Sequence, residues 1–220
     1  MKKIFIVLLL ILFTVSFANA QDQPKDISKI IASVSLGGAM PMGDFKDVYK
    51  LGFGGSIDAA YAFNKNIAGR LEITVNDFML DKDKYYTNNN TSSNLVTVTG
   101  GQDLVMATKL SFCGGIIEPA KEQKFSIYGI FSIGVYLNIV NDIVSTNNSS
   151  NVATTSFGGS NAYMGVGAGF RMGYKIAPRA SLFLEAGYET FFPSESWGKA
   201  SLGTRDDFIP VKIGVMVHPF

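Results

Sequence analysis

The sequence predicts an all-β protein: an eight-stranded, antiparallel, up-and-down transmembrane β-barrel. Three observations support this prediction. Apolar and polar residues alternate with a period of two through most of the chain, which is typical of strands rather than helices. The connections between the alternating segments are long and short in strict turn. One face of the segments is continuously apolar, while the other carries charges or glycine.

The N-terminus must be set aside before the fold is considered. Residues 1–20 are predicted to be a secretory signal peptide: two lysines precede an apolar run from Ile4 to Phe17, and Ala18-Asn19-Ala20 has the small-x-small cleavage pattern. An uncleaved membrane anchor is the alternative. Residues 21–29 follow as a polar lead-in, expected in the periplasm, and residues 30–220 are predicted to form the barrel.

Length and charge limit the function further. A chain of 220 residues suffices for one domain, and its formal net charge of +1 argues against a nucleic-acid partner. After the predicted signal peptide, no apolar run has the length of a membrane-spanning helix.

The stretch NAYMGVGAGFRMGYK, residues 161–175, shows the alternation most clearly. Its glycines recur at every second position, so they do not have the spacing of a phosphate-binding loop. One face is too apolar for a surface in water, and the other is too small and polar for a protein core. Seven further segments alternate similarly: 30–37, 51–63, 67–76, 103–113, 125–138, 181–192 and 209–218.

A membrane explains this inverted pattern. Lipid cannot hydrogen-bond to backbone groups, so a sheet that crosses a bilayer must close on itself. Its outer face must then be apolar, and its lumen is free to be polar. The alternative is a soluble secreted barrel whose apolar faces surround a ligand cavity.

Eight strands leave a lumen that is wide enough only for side chains. The inward face is expected to hold a paired charge network, because unpaired ions in a narrow lumen are costly. Counting back from the short turns predicts that Arg171 approaches Glu185 and that Asp58 approaches Arg70 and Glu72. A narrow porin-like channel for ions or small solutes is the alternative use of the same charges. The predicted network comprises Asp58, Arg70, Glu72, Lys109, Arg171, Lys175, Glu185, Glu189 and Lys212.

Aromatic residues have two predicted roles. Tyr128, Tyr136 and Tyr163 are expected to pack inside the lumen, where Gly165, Gly167 and Gly169 leave room for Tyr128 and Tyr136 on the neighbouring strand. Others are expected in two girdles at the membrane interfaces. The predicted girdle residues are Tyr61, Phe63, Phe125 and Tyr174 beside short turns, and Phe53, Phe78, Tyr188, Phe192 and Phe208 beside long loops.

The two longest loops, 80–101 and 139–160, contain the β-prone pieces 95–98 and 152–155. We therefore expect strands three to six to continue beyond the membrane as a protruding sheet. Exposed sheet edges recruit other strands, so these loops are a candidate surface for an extracellular partner. Flexible polar loops are the alternative.

The sequence offers no site for catalysis, metal binding or a cofactor. Its single histidine, His218, lies on the short-turn side, so a Ser-His-acid site near the long loops is impossible. Asp81-x-Asp83 begins like a calcium loop, but Tyr86 occupies the position of the required glycine. Cys113 is the only cysteine, and its place in a strand pattern indicates a small spacer. A structural or surface-interaction role follows, rather than an enzyme.

Several features of the sequence together resemble a known family. They are the predicted signal peptide, the eight amphipathic strands, the loop alternation, the stretch GGAMPMGDF (37–45) and the terminal Phe220. The chain resembles the small bacterial outer-membrane β-barrels of the OmpA/OmpX or "porin family" type. This resemblance implies a Gram-negative outer membrane with both mature termini in the periplasm, and contact with outer-membrane lipid and lipopolysaccharide.

The resemblance also implies a C-terminal signal that the barrel-assembly machinery reads. Here that signal would comprise Val211, Ile213, Val215, Val217 and Phe220. The chain departs from the family in one respect, because Phe220 has the opposite parity to the four apolar residues. Pro219 intervenes, and a bulge or break there would restore the phase.

Overall fold

The computed structural model describes residues 30–89, 91–117, 124–156, 158–192 and 206–217. The predicted signal peptide, the lead-in 21–29, His218 and Phe220 lie outside the described residues. Among the described helices, none is long and apolar enough to cross a membrane.

Eight strands form the closed barrel that the sequence predicts. Each pairs antiparallel with its sequential neighbours in the wall, and the last strand pairs with the first from Ala32↔Val217 to Met42↔Asp207. The barrel strands are β1 (Ile30–Met42), β2 (Gly52–Ala62), β3 (Ile67–Phe78), β5 (Asp103–Ile116), β6 (Phe125–Val140), β9 (Gly159–Ala177), β10 (Ala180–Phe192) and β11 (Asp206–Val217).

Three short strands form a second sheet, which we call the projecting sheet: β4 (Val96–Gly100), β7 (Ile143–Asn147) and β8 (Ala153–Ser156), in the order β4-β7-β8. This sheet extends the fourth, fifth and sixth barrel strands. The expectation that the third strand also continues was wrong, because β3 leads instead to the helix α1 (Lys82–Asn88).

The projecting sheet is a direct continuation of the barrel wall. The antiparallel register between β5 and β6 reaches Asp103↔Val140, and β4 and β7 resume the same register at Gly100↔Ile143. The pairing of β6 with β9 continues into β7 with β8 in the same way. Gly100 and Gly101, with φ of 81° and 73°, lie at the junction, in a conformation that favours glycine.

The two faces of the barrel have the inverted arrangement that the sequence predicts. Phe53, Leu110 and Ile213 on the outer face are 67%, 63% and 64% exposed, whereas charged residues of the inner face, such as Arg70 and Lys109, are buried. A soluble barrel with its apolar faces around a ligand cavity is contradicted by this arrangement.

Both described ends of the barrel chain lie at the short-turn end. Ile30 pairs with Tyr61, beside the turn that joins β2 to β3. Val217 pairs with Ala180, beside the turn that joins β9 to β10. The opposite, long-loop end therefore carries the projecting sheet, α1 and the 3-10 turn Phe45–Asp47.

Candidate functional site

The middle of the lumen holds eight ionisable side chains in one connected set of ion pairs, which we call the lumen network. Each belongs to the inward face of a barrel strand, and each side chain is at most 9% exposed. The acids and bases are equal in number. The four acids are Asp58, Glu72, Glu185 and Glu189, and the four bases are Arg70, Lys109, Arg171 and Lys212.

One half of the lumen network is built around two arginines. Arg171 is directly opposite Glu185 across the hairpin of β9 and β10, and its Nη2 lies 2.6 Å from Glu185 Oε2. The same Nη2 lies 2.8 Å from Asp58 Oδ2, and Arg171 Nη1 donates to Ser33 Oγ at 3.0 Å. Arg70 Nη2 lies 3.2 Å from Asp58 Oδ2, so this carboxylate contacts both arginines.

The other half is centred on Glu72. Arg70 Nη2 and Lys212 Nζ lie 3.0 Å and 2.6 Å from Glu72 Oε1, and Lys109 Nζ lies 3.0 Å from Oε2. Lys109 also donates to Glu189 at 2.5 Å. Arg70 Nη1 joins the two halves by approaching Glu185 Oε2 at 3.1 Å.

Lys175, the ninth residue of the predicted network, is placed differently. It lies near the end of β9, opposite Ser181 and beside the short turn, where it is only partly buried. A register shift between Ala180 and Ser181 marks this end of the hairpin. Within the described part of the chain, Lys175 takes part in none of the ion pairs of the lumen network.

A small void lies beside the lumen network. The network's side chains and the glycine-rich wall of β9 border this void of about 20 Å³, lined in part by Arg70, Glu72, Lys109, Glu185 and Glu189. A void of this size holds about one water molecule.

An aromatic layer lies at the long-loop end of the lumen. Phe45 enters from the loop after β1, with its ring centroid 4.8 Å from that of Phe78, which in turn lies 5.6 Å from Phe208. Phe191 stacks on Tyr136 at 5.2 Å, and the Tyr136 hydroxyl donates to Glu189 Oε2 at 3.0 Å. This hydrogen bond joins the aromatic layer to the lumen network.

Tyr49 completes this layer from the same loop, with its ring 4.8 Å from Phe45. Burial, together with the nearby carboxylates of Asp103 and Asp206, raises the pKa of the Tyr49 phenol above its ordinary value. Tyr49 is therefore a neutral packing residue at physiological pH.

The prediction that Phe78 and Phe208 belong to the aromatic girdle was wrong. Both were expected beside the lipid, but both are fully buried in the lumen. The reason is strand parity: Phe78 has the parity of Arg70 and Glu72, and Phe208 has the parity of Lys212. Nearness to a long loop does not decide which face a side chain occupies.

The other predicted girdle residues lie on the outer face, in two groups at opposite ends of the barrel. Tyr61 contacts Phe63 and Phe125 contacts Tyr174 at the short-turn end, with ring centroids 5.5 Å and 5.0 Å apart. Phe53, Tyr188 and Phe192 are exposed at the long-loop end.

The four described residues of the predicted assembly signal differ in exposure. Val211 and Ile213 are 46% and 64% exposed on the outer face, and Val215 and Val217 are partly buried.

An apolar layer fills the short-turn end of the lumen. Tyr128, Cys113, Phe183 and Met216 are buried in one cluster there. Phe183 also contacts the lumen network, because the Arg171 guanidinium carbon lies 4.0 Å from its ring centroid. Cys113 has the role of a small buried spacer that the strand pattern indicates.

The glycines of β9 are needed for different steric reasons. A Cβ atom on Gly165 would lie 2.5 Å from the Tyr136 ring, so this glycine makes room for a tyrosine as expected. A Cβ on Gly167 would instead meet the Ser132 hydroxyl at 2.7 Å, and one on Gly169 would meet the backbone of β10. The expectation that these glycines accommodate Tyr128 was wrong, since Tyr128 lies opposite Arg171 and Gly115.

The projecting sheet is packed on one face. Val98 and Ile143 are buried against Leu80, and Tyr85 of α1 packs against this cluster. The sequence has no helical period in this segment, so α1 was not predicted. The tyrosines of α1 pack against the projecting sheet, and this contact exists only in the folded protein. The described residues contain no group of three or more His, Cys, Asp or Glu side chains that could hold a metal ion.

Similar folds occur among solved structures. A major outer membrane protein from Thermus thermophilus matches with a TM-score of 0.51 at 12% identity, over 86% of this chain and 98% of that one. Neisserial surface protein A (NspA) matches with a TM-score of 0.47 at 13% identity, over 88% and 99%. The N-terminal β-barrel domain of Pseudomonas aeruginosa OprF matches with a TM-score of 0.45 at 11% identity, over 84% and 96%.

The fold is that of the small eight-stranded outer-membrane β-barrels. No protein-family model and no curated protein matches the sequence. The similarity at these identities concerns the fold alone, so function must be argued from the lumen and the long-loop end of this chain.

Proposed function

We propose that this protein is an outer-membrane β-barrel of a Gram-negative bacterium with a closed lumen and a non-enzymatic binding role at the cell surface. The observation that carries the proposal is the inversion of the barrel: charges are paired inside, and large apolar side chains cover the outside. Lipid makes such an outer face favourable. Outer-membrane lipid and lipopolysaccharide are then the partners of the girdle residues, and the barrel-assembly machinery is the partner during insertion.

Three layers support the closed lumen. The aromatic layer, the lumen network and the apolar layer follow one another from the long-loop end to the short-turn end. A narrow channel would need a polar path past Phe78 and Phe208, both of which are fully buried. A closed lumen makes the long-loop end the functional part of this proposal.

The projecting sheet supports a binding role. It adds ordered backbone beyond the wall at the long-loop end, within loops 80–101 and 139–160, and it has its own small core. Ordering these residues costs conformational entropy, which flexible spacer loops would not require. With both mature termini in the periplasm, this end faces the outside of the cell.

Cysteine labelling of intact cells tests this orientation. Asn148→Cys, at the tip of the projecting sheet, is expected to react with a membrane-impermeant maleimide on whole cells. Lys65→Cys, in an exposed short turn, is expected to react only after the outer membrane is permeabilised. The native Cys113 is the matched control, since its burial should keep it unlabelled in both cases. Equal labelling of both variants on whole cells would overturn the proposal.

A further inference from the structure

The wall between β10 and β11 is interrupted at one place. The two strands pair as far as Ala186↔Val211, and after two skipped pairs they resume in the same register. Gly187 therefore lies opposite Pro210 in the first skipped pair. Because both residues lie inside their strands, the interruption belongs to the wall itself and not to a frayed strand end.

The phase of the backbone places the Gly187 carbonyl at this interruption. In an antiparallel sheet, successive residues direct their N–H and C=O groups toward opposite neighbouring strands. Ala186 directs its carbonyl toward β9, because a Cβ atom on Gly169 would lie 2.6 Å from that oxygen. Gly187, the next residue, therefore directs its N–H and C=O groups toward β11.

Pro210 explains why the pairs are skipped. Val211 directs its carbonyl toward β1, where a Cβ atom on Gly37 would meet it. Pro210, the preceding residue, therefore directs its backbone toward β10 and Gly187. Proline has no N–H group, so it cannot donate the hydrogen bond that the Gly187 carbonyl would otherwise accept in the ladder.

The void beside the lumen network lies at this interruption. Gly187 and Pro210 line it from the wall, and Arg70, Glu185 and Glu189 line it from the lumen network. Its volume of about 20 Å³ admits one water molecule and excludes larger ligands. Because the four acids and four bases of the network balance, the void favours a neutral ligand that both donates and accepts hydrogen bonds.

Arg70, which lines the void, has an unused donor. Its side chain is 1% exposed, and its Nη atoms approach three carboxylates, those of Asp58, Glu72 and Glu185. Its Nε, however, has no hydrogen-bond partner among the described residues. A buried donor of a charged group is costly to leave unpaired. Arg171 differs in this respect, because its Nε donates to Glu185 Oε2 at 2.7 Å.

We infer that one tightly bound water molecule occupies this void, donates a hydrogen bond to the Gly187 carbonyl and accepts one from Arg70 Nε. The carboxylates of Glu185 and Glu189, which also line the void, offer an acceptor for its second O–H. Three hydrogen bonds are the number that a buried water typically makes. The water replaces the donor that Pro210 lacks, and it joins the wall to the lumen network. This inference depends on the wall geometry and not on the proposed role at the cell surface.

Contact between water and the arginine side chains tests the inference. In the mature chain refolded into detergent micelles, the Arg70 Nε–H proton is expected to show a nuclear Overhauser cross-peak with water. The Arg171 Nε–H proton is the internal control and is expected to show none, because its partner is Glu185. A rotating-frame spectrum distinguishes this contact from proton exchange. A missing Arg70 cross-peak, or equal cross-peaks for both arginines, would overturn the inference.

Pro210→Val tests the contribution of the wall. Valine supplies the N–H that the Gly187 carbonyl lacks, with a side chain of similar size. We expect the Arg70 cross-peak to weaken about fivefold or more, since the water loses one hydrogen bond. Pro41→Val is the matched control and is expected to keep the cross-peak. Pro41 is also buried in the wall, but it lies beyond the last pair of β1 with β2 and so withholds no ladder donor. An unchanged cross-peak in Pro210→Val would contradict the inference.

A crystal structure of the unaltered chain gives a test that needs no substitution. A water oxygen is expected within hydrogen-bond distance of the Gly187 carbonyl oxygen. A protein N–H group bonded to that oxygen instead would show that the wall needs no water.

Discussion

The barrel carrying Arg171→Met is expected to lose about 3–5 kcal/mol of unfolding free energy, because a buried ion pair is broken on one side only. Arg171 contacts both Asp58 and Glu185, at 2.8 Å and 2.6 Å, and all three side chains are buried. Glu185→Met is expected to cost a similar amount, since Arg171, Arg70 and Lys212 all approach this carboxylate.

The double variant distinguishes pairing from general disruption. With both groups removed, three acids and three bases remain of the four and four in the lumen network, so the lumen is neutral again. We expect the double loss to be smaller than the sum of the single losses by about 1–3 kcal/mol. Denaturant titration in lipid vesicles, with the folded fraction measured by heat-dependent gel mobility, gives these energies. Lys124→Met, exposed outside the network, is the control; strictly additive losses would contradict the account.

Phe78→Ala is expected to destabilise the barrel by about 3–5 kcal/mol, because truncation of a buried phenylalanine leaves a cavity that the wall cannot fill. Phe78 is fully buried between Phe45 and Phe208, and its ring covers Gly52, where a Cβ atom would lie 2.6 Å away. The same denaturant titration measures this loss.

Phe53→Ala is the matched control for Phe78→Ala. Phe53 lies opposite Asp77 on the adjacent strand, but its ring is 67% exposed on the outer face. Lipid chains can occupy the space that its ring leaves, so no cavity forms. The expected loss of unfolding free energy is then limited to the free energy of transferring the ring from water to lipid. A loss for Phe53→Ala that equals the loss for Phe78→Ala would show that Phe78 does not belong to a closed aromatic layer.

The fold was predictable because a membrane strand repeats every two residues and a membrane sheet must close. Strand parity identified the eight charges of the lumen network but not the buried acids Asp103, Asp206 and Asp207. The short turns identified the hairpin pair Arg171 and Glu185. Parity also places Phe78 and Phe208 in the lumen. The girdle prediction was wrong for them because phase in the strand, and not distance from a loop, decides which face a side chain occupies.

Contacts across the lumen could not be predicted from the sequence. Lys212 approaches Glu72, and Lys109 approaches Glu189, although neither pair lies on neighbouring strands. Such contacts depend on how the strands stagger when the barrel closes, and no local pattern encodes that stagger. The entry of Phe45 and Tyr49 into the lumen was hidden for a similar reason, since their loop has no strand parity to read.

Single-channel conductance of the mature chain, refolded into a planar bilayer, tests the closed lumen most directly. Folding is verified first by a heat-dependent shift on a gel, and a pore-forming peptide added at the end shows that the bilayer reports conductance. We expect the folded barrel to be silent, because three layers of packed side chains fill it. Discrete conductance steps whose ion selectivity changes with Arg171→Met or Glu185→Met would contradict the account and make the lumen a pore.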